Sequence, residues 1–232
     1  MFRDWQRHLG REIDVCLVHL PGRARRIGER PRARLRPLVE ELADAIGPEL
    51  RGQFAFYGHS MGALISFELA RELRRRNWST PVHLFLSACR APTIVRGVRP
   101  TFNLPVRELM AEIRKLNGTP KEFFESPEIQ NVLLPLLRAD LEIIDTYEYV
   151  AEAPLGCAIN VYAGEQDTHA PPESLVTWEL QTSAKCTLQT FSGDHFFIQS
   201  QKIEFLRSLR EDALQTLCVV ANGLEQVNGK RP

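Results

Sequence analysis

The sequence predicts an α/β fold: a doubly wound, mostly parallel sheet with helices on its faces. Two observations carry that prediction. Short apolar runs each stop at turn residues, and helix-period segments lie between them. Because the runs lack clean apolar/polar alternation, they read as strands covered on both faces. In order, strands fall at residues 14–20 (DVCLVHL), ending at Pro21-Gly22; 53–57 (QFAFY), ending at Gly58; and 82–87 (VHLFLS), following Pro81. Two more fall at 157–163 (CAINVYA), ending at Gly164, and at Cys186–Phe191 (CTLQTF), ending at Ser192-Gly193. Helices are expected at 35–50, 63–76 and 203–220, where apolar residues recur at three and four spacing. Residues 98–150 break the rhythm, with helical pieces at 106–116, 121–124 and 128–149 and no strand signal. An insertion of that size between two strands is a lid candidate, whose apolar side chains either line a pocket or pack the lid. The expected organisation is a core over 1–97 and 151–221, a helical lid over 98–150 and a polar tail over 222–232.

Composition excludes several classes. With 44% hydrophobic and 25% charged residues among 232, disorder, collagen-like repeats and a small disulfide-held scaffold are ruled out. The five cysteines are scattered, without a CxxC pair or histidines at zinc spacing, as in a reducing compartment. The N-terminus (MFRDWQRHLGR) has no apolar signal region, and no run approaches the ~18 apolar residues of a membrane span. The expected setting is the cytoplasm. The 29 basic and 29 acidic side chains cancel, yet residues 1–76 hold 15 Arg against 10 acids. Seven of these arginines lie between Arg23 and Arg36.

Gly58-His59-Ser60-Met61-Gly62 fits G-x-S-x-G, with an apolar strand before it and an amphipathic helix after it. In that context the pattern forms a tight turn that exposes a nucleophilic serine. Ser60 then sits at a helix N-terminus, where free N–H groups and the helix dipole favour a developing oxyanion. A serine at neutral pH needs a base, and the base needs an orienting carboxylate. In the α/β-hydrolase order the acid and then the histidine follow, each in a loop after a strand. Asp167 lies four residues past Ala163, and His195 four past Phe191. Both fall on the carboxyl edge of the sheet, where an α/β fold places its site. Of the six histidines, His195 alone meets that condition cleanly. His59 is expected to point away from the elbow and to be structural. Asp140 and Glu165 compete with Asp167 for the acid.

These residues resemble the stand-alone type II thioesterases of polyketide and nonribosomal peptide assembly lines, relatives of the medium-chain thioesterase of animal fatty acid synthesis. The matching pieces are Leu20-Pro21-Gly22-Arg23, the elbow from Phe56 to Ala63, Leu84-Phe85-Leu86-Ser87-Ala88, Gly118-Thr119-Pro120, Leu137-Arg138-Ala139-Asp140 and Gly193-Asp194-His195-Phe196-Phe197. They run in family order from about residue 5 to about residue 210. The resemblance implies Ser60 as nucleophile, Asp167 as orienting acid, His195 as general base and the Met61 backbone N–H as oxyanion donor. It puts Asp140 in a lid motif. It implies hydrolysis of acyl thioesters from the phosphopantetheine arm of an acyl or peptidyl carrier protein in an editing role, with no cofactor or metal of the enzyme's own. No nucleic acid or membrane partner is expected, and a monomer is. The arginine cluster reads as a solvated face, as an acceptor surface for an acidic carrier protein, or, least well for a neutral chain, as a nucleic-acid site. The alternatives in function are an esterase acting on small esters and a catalytically impaired interaction protein.

One departure stands at the front. Members of that family begin with an apolar strand and a Phe-Pro-x-Ala-Gly-Gly-like loop, which supplies a second oxyanion N–H, ahead of the helix that starts here near Trp5. Both are absent from this sequence. The expectation is a truncated chain or a miscalled start. The alternative is a variant that pairs the strands at 14–20 and 53–57 directly.

Overall fold

The computed structural model describes residues 1–94, 100–119 and 121–228, with side chains to Cys218. Its helices are α1 (Trp5–Leu9), α2 (Leu35–Ile46), α3 (Met61–Arg75), α4 (Val106–Lys115), α5 (Lys121–Glu125), α6 (Pro127–Asp145), α7 (Phe197–Ser200) and α8 (Lys202–Asn228). Its strands are β1 (Ala55–His59), β2 (His83–Ser87), β3 (Ala158–Gly164) and β4 (Cys186–Phe191). Contacts divide the chain into two units: Met1–Val18 with the residues from Phe197 on, and His19–Phe196.

The smaller unit is helical. Trp5 and Leu9 of α1 are buried, as are Phe205, Leu206 and Leu209 of α8, and the Trp5 and Phe205 rings lie 5.8 Å apart. Lys202 pairs with Asp4, and the Arg210 guanidinium donates to the Leu9 carbonyl. Helix α8 runs to Asn228, so the polar tail expected from residue 222 begins as helix.

The larger unit holds the sheet, ordered β1-β2-β3-β4 and parallel throughout. Parallel neighbours need a crossover, and α3 supplies the one between β1 and β2. All five residues of β2 are buried, which is why its sequence does not alternate. Leu84, Leu86, Ile159 and Val161 of β2 and β3 share a core with Leu38 and Leu42 of α2, Leu64, Phe67 and Leu73 of α3, and Trp178. The buried Trp178 indole is satisfied by the Cys89 carbonyl at 2.7 Å. Helix α2 stops at Ile46, short of the expected residue 50, because Pro48 lacks the N–H an α-helix needs there; Gly47–Glu49 continues as a 3₁₀ turn.

The expected strand at 14–20 is not formed. Residues 14–20 carry no regular structure, Leu17 and Val18 are 44% and 52% exposed, and the four-stranded sheet of the described residues does not include them. A β-prone run becomes a strand only where a neighbour offers a row of N–H and C=O groups, and β-propensity cannot report that neighbour. Direct pairing of 14–20 with β1 is therefore not adopted, and β1 is an edge of this sheet. β1 itself starts two residues later than expected and runs through His59 into the elbow.

Within 98–150, α4, α5 and α6 build a small core of their own. Leu104, Leu109, Met110, Ile113 and Phe123 are buried together, with Phe124, Leu133, Leu134, Leu137 and Leu141 packed against them. Those side chains pack the helices on one another. Helix α6 opens with Ser126, which accepts the Ile129 N–H, and Pro127 at its first position, both strong starters. The residues at 95–99, where the lid was expected to begin, and Pro120 of the Gly118-Thr119-Pro120 motif lie outside the described residues. Among the described residues no helix is long and apolar enough to cross a membrane.

Candidate active site

The elbow is built by backbone geometry before any side chain enters. Ser60 adopts φ 54° and ψ −118°, left-handed for a residue with a Cβ, and this reverses the chain between β1 and α3. Two things hold the turn. The Ser60 N–H donates to the Ser87 carbonyl on β2 at 2.8 Å, and the chain folds back so closely that a Cβ on Gly58 would lie 2.1 Å from the Gly62 carbonyl oxygen. The two glycines of the motif are unequal: a Cβ on Gly62 would meet nothing within 4 Å. Ser60 occupies the N-cap position of α3, yet its hydroxyl makes no capping bond. It faces His195 instead, and the first amides of α3, Met61 at their head, are not capped by it.

Asp167 and His195 come to the same place on loops after β3 and β4. His195 Nε2 lies 2.9 Å from Ser60 Oγ, and His195 Nδ1 lies 2.8 Å from Asp167 Oδ2. With Nδ1–H donated to the carboxylate, Nε2 presents its lone pair to the serine hydroxyl. Asp167 is 2% exposed, and its other oxygen accepts the N–H groups of His169 at 2.8 Å and Ala170 at 3.0 Å. Burial alone would raise its pKa; the bond and the charge of His195, with those two amides, outweigh burial and hold the carboxylate below its ordinary value. The two loops are stapled together. Gln166 N–H donates to the Gly193 carbonyl at 2.9 Å, and Gly193 N–H donates to Gln166 Oε1 at 2.5 Å. A Cβ on Gly164 would stand 2.3 Å from the Asp194 carbonyl oxygen, so only glycine admits this approach.

The competing acids lie elsewhere. Asp140, on α6, pairs with Arg23, and Glu165 is exposed with Ser192 Oγ at 3.4 Å. His83 bonds Asn160 and stacks on Phe85; His169 sets its ring 5.9 Å from that of His195, and burial, then the neighbouring His195, lowers its pKa. His59 corrects the expectation: its ring does not point away but lies 5.3 Å from the His195 ring and 5.4 Å from Phe196. Burial, followed by the proximity of His195, lowers its pKa to about 3, so it is neutral. Ser87, which bonds His59, and Tyr57, which bonds the same Ser87 hydroxyl, were not expected as site residues, although Tyr57 and His59, two apart on one strand, share a face. Phe196, beside the histidine, meets the 98–150 segment: a Cβ on Gly118 would be 2.1 Å from its ring, which accounts for a glycine there.

The arginine cluster is largely neutralised within the chain. Arg23 pairs with Asp140, Arg26 with Glu29 and Glu41, Arg32 with Glu41, Arg34 with Glu142 and Arg36 with Glu40. Among the described residues, Arg25 and Arg30 are the two of the seven for which no such ion pair is formed. Arg23 and Asp140 belong to the two matching pieces Leu20–Arg23 and Leu137–Asp140, so the structure joins what the sequence showed only as separate motifs.

The parallel sheet, the strained elbow and the serine, histidine and carboxylate in hydrogen-bonded sequence define an α/β-hydrolase. Comparison with known proteins narrows that class. Residues 1–213 match the model of the thioesterase domain family. A curated relative from Brevibacillus parabrevis, named linear gramicidin dehydrogenase LgrE, is 42% identical over 97% of this chain and 86% of its own. The gramicidin S biosynthesis protein GrsT of Aneurinibacillus migulanus is 40% identical over 88% of this chain and 80% of its own. The solved structure of RedJ, a thioesterase from the prodiginine pathway of Streptomyces coelicolor, superposes with a TM-score of 0.85 at 36% identity, covering 90% of this chain and 79% of that one. The chain belongs to the thioesterase family.

Proposed function

We propose that this thioesterase releases acyl groups from the phosphopantetheine arm of an acyl or peptidyl carrier protein, in an editing role within a polyketide or nonribosomal peptide assembly line. The observation that carries the reading is the Ser60–His195–Asp167 hydrogen-bonded chain in a member of this family. His195 Nε2 takes the Ser60 proton as Oγ attacks the thioester carbonyl, and the Met61 N–H at the head of α3 donates to the oxyanion. Collapse expels the pantetheine sulfur, which leaves as the thiol with the proton His195 had taken, so that an acyl ester remains on Ser60 and His195 is again a neutral base. Water, deprotonated by His195, then frees the acid and restores the serine. Asp167 holds the imidazole in the required tautomer and balances its charge. A thiolate leaves more readily than an amine, so the demand for a general acid is light. No cofactor enters any step, and the cytoplasm is the proposed setting. GrsT and RedJ, named for gramicidin S and prodiginine biosynthesis, support the assembly-line assignment.

The test incubates the protein with acyl-loaded carrier protein and follows the carrier mass. Unloading by the wild type and none by Ser60→Ala is expected, with a fluorophosphonate probe labelling Ser60. A carrier that stays loaded while an active control unloads it overturns the proposal, as does a clear preference for p-nitrophenyl esters over the carrier substrate.

A further inference from the structure

A second polar chain runs beside the first. Ser87 is fully buried on β2 and directly opposite His59 on β1 in the parallel register. Three groups converge on its hydroxyl: Tyr57 OH at 2.8 Å, His59 Nδ1 at 2.8 Å and the Gly58 carbonyl at 3.4 Å. A hydroxyl has one proton to give and two lone pairs to offer. The Gly58 carbonyl can only accept, so the Ser87 proton goes there. Both lone pairs then accept, one from the Tyr57 O–H and one from an Nδ1–H on His59. Burial raises the Tyr57 pKa, so that phenol keeps its proton. Meanwhile the backbone carbonyl of the same Ser87 holds the Ser60 N–H. One residue thus touches the elbow through its main chain and the neighbour of His195 through its side chain.

We infer that Ser87 and Tyr57 are positioning residues that lock His59 as the neutral Nδ1–H tautomer, and that His59 so fixed is the wall against which His195 is held between Asp167 and Ser60. This rests on the assignment of Ser60 and His195 made above. Among the described titratable groups, His195 and Asp167 act on His59 from the adjoining loops, and Tyr57 on its own strand meets it through the shared Ser87 hydroxyl. A second positive charge at His59 would oppose the imidazolium that His195 becomes when Ser60 attacks. A ring that changed tautomer or turned would loosen the wall, and small misplacements of a base cost rate steeply.

The experiment uses the full chain. ¹⁵N-detected imidazole spectra of the wild type are expected to show His59 protonated at Nδ1 and unchanged from about pH 5 to about pH 9. In Ser87→Ala the His59 signals should average between tautomers, and kcat per fluorophosphonate-titrated site should fall about tenfold with KM unchanged. Tyr57→Phe, which removes one of the two donors, should lie between. A purely structural role would lower the titratable fraction and the melting temperature while leaving kcat per site intact, and that result overturns the inference. So does a wild-type His59 that titrates in this range or carries its proton on Nε2, a reading that stands even if the Ser87 variant fails to fold. Failure of Ser60 to label in the wild type sinks the underlying assignment instead.

Discussion

The elbow and helix α6 are held by different kinds of force. At the elbow the contacts are short, directional and mostly uncharged: Ser60 N–H to Ser87 O, Gly58 against Gly62, Tyr57 and His59 on Ser87. The ties of α6 to neighbouring loops are charged: Asp140 with Arg23, Glu142 with Arg34, Arg138 with the Leu104 carbonyl at 2.8 Å, and Asp145 with the Thr101 N–H at 2.6 Å. Directional bonds between buried groups fix atoms to a few tenths of an ångström, as proton transfer needs. Charge pairs at the surface hold parts together at little net energy and are screened by salt. The contrast assigns precision to the sheet edge and tolerance to the helices above it.

That contrast is exposed first by Asp167→Asn, which should lower kcat on the order of 10⁴-fold while leaving the α6 contacts intact. The same carboxylate separates the two regions in acid. The folded pKa of Asp167 lies below its ordinary value, so its contribution to stability is full above that ordinary value and is lost as pH falls from there through the lowered folded value. The folded pKa of Asp140 lies above its ordinary value because burial outweighs the pull of Arg23, so it takes its proton first and that protonation favours the fold. Acid-unfolding curves should therefore flatten in Asp167→Asn and steepen in Asp140→Asn.

Next in size is the pair Gly58→Ala and Gly62→Ala. The first must move backbone and should cost about 3 kcal/mol or more; the second, with open space at its Cβ, should leave the melting temperature unchanged or slightly higher. Equal effects would mean that the elbow is not set by main-chain approach. Smaller again, Arg23→Met should cost about 1–3 kcal/mol by stranding the half-buried Asp140, and Asp140→Leu added to it should restore part of the loss. Denaturant titration of the single and double variants measures this. The least effect is expected from Arg25→Ala with Arg30→Ala: roughly a two- to threefold slower approach of a carrier protein at low salt, vanishing at high salt, with hydrolysis of small esters unchanged. Arg26 is a poor probe of docking because Glu29 and Glu41 already engage it.

Most of the candidate site's geometry was legible because a serine, an acid and a histidine at successive strand ends leave a readable spacing and order in the sequence. A strand, G-x-S-x-G and a helix locate Ser60, and the ends of two later strands locate Asp167 and His195. Four of five strands were legible because buried parallel strands leave apolar runs. The run at 14–20 misled for a definite reason: its residues favour a strand, while the hydrogen-bonding neighbour that would make one is a property of the whole sheet. The position of His59 was illegible for a similar reason. The motif gives its place in the chain, but its proximity to His195 depends on a loop 136 residues away. Ser87 lies in the matching piece Leu84–Ala88, but nothing there tells its role, since a small polar residue at the end of an apolar run reads as a strand terminus.

Gly164 has a consequence for how this enzyme tolerates change in length. With the Asp194 carbonyl lodged where its side chain would be, and Gln166 bonded twice to Gly193, the stretches 164–167 and 192–195 form one mechanical part. An insertion or deletion inside either stretch is expected to displace Asp167 and His195 together relative to Ser60. In the intervening chain Leu175, Trp178 and Gln181 are buried, so a change of length that leaves the distances from carboxylate to imidazole to hydroxyl intact is expected only at the exposed turn around Glu173.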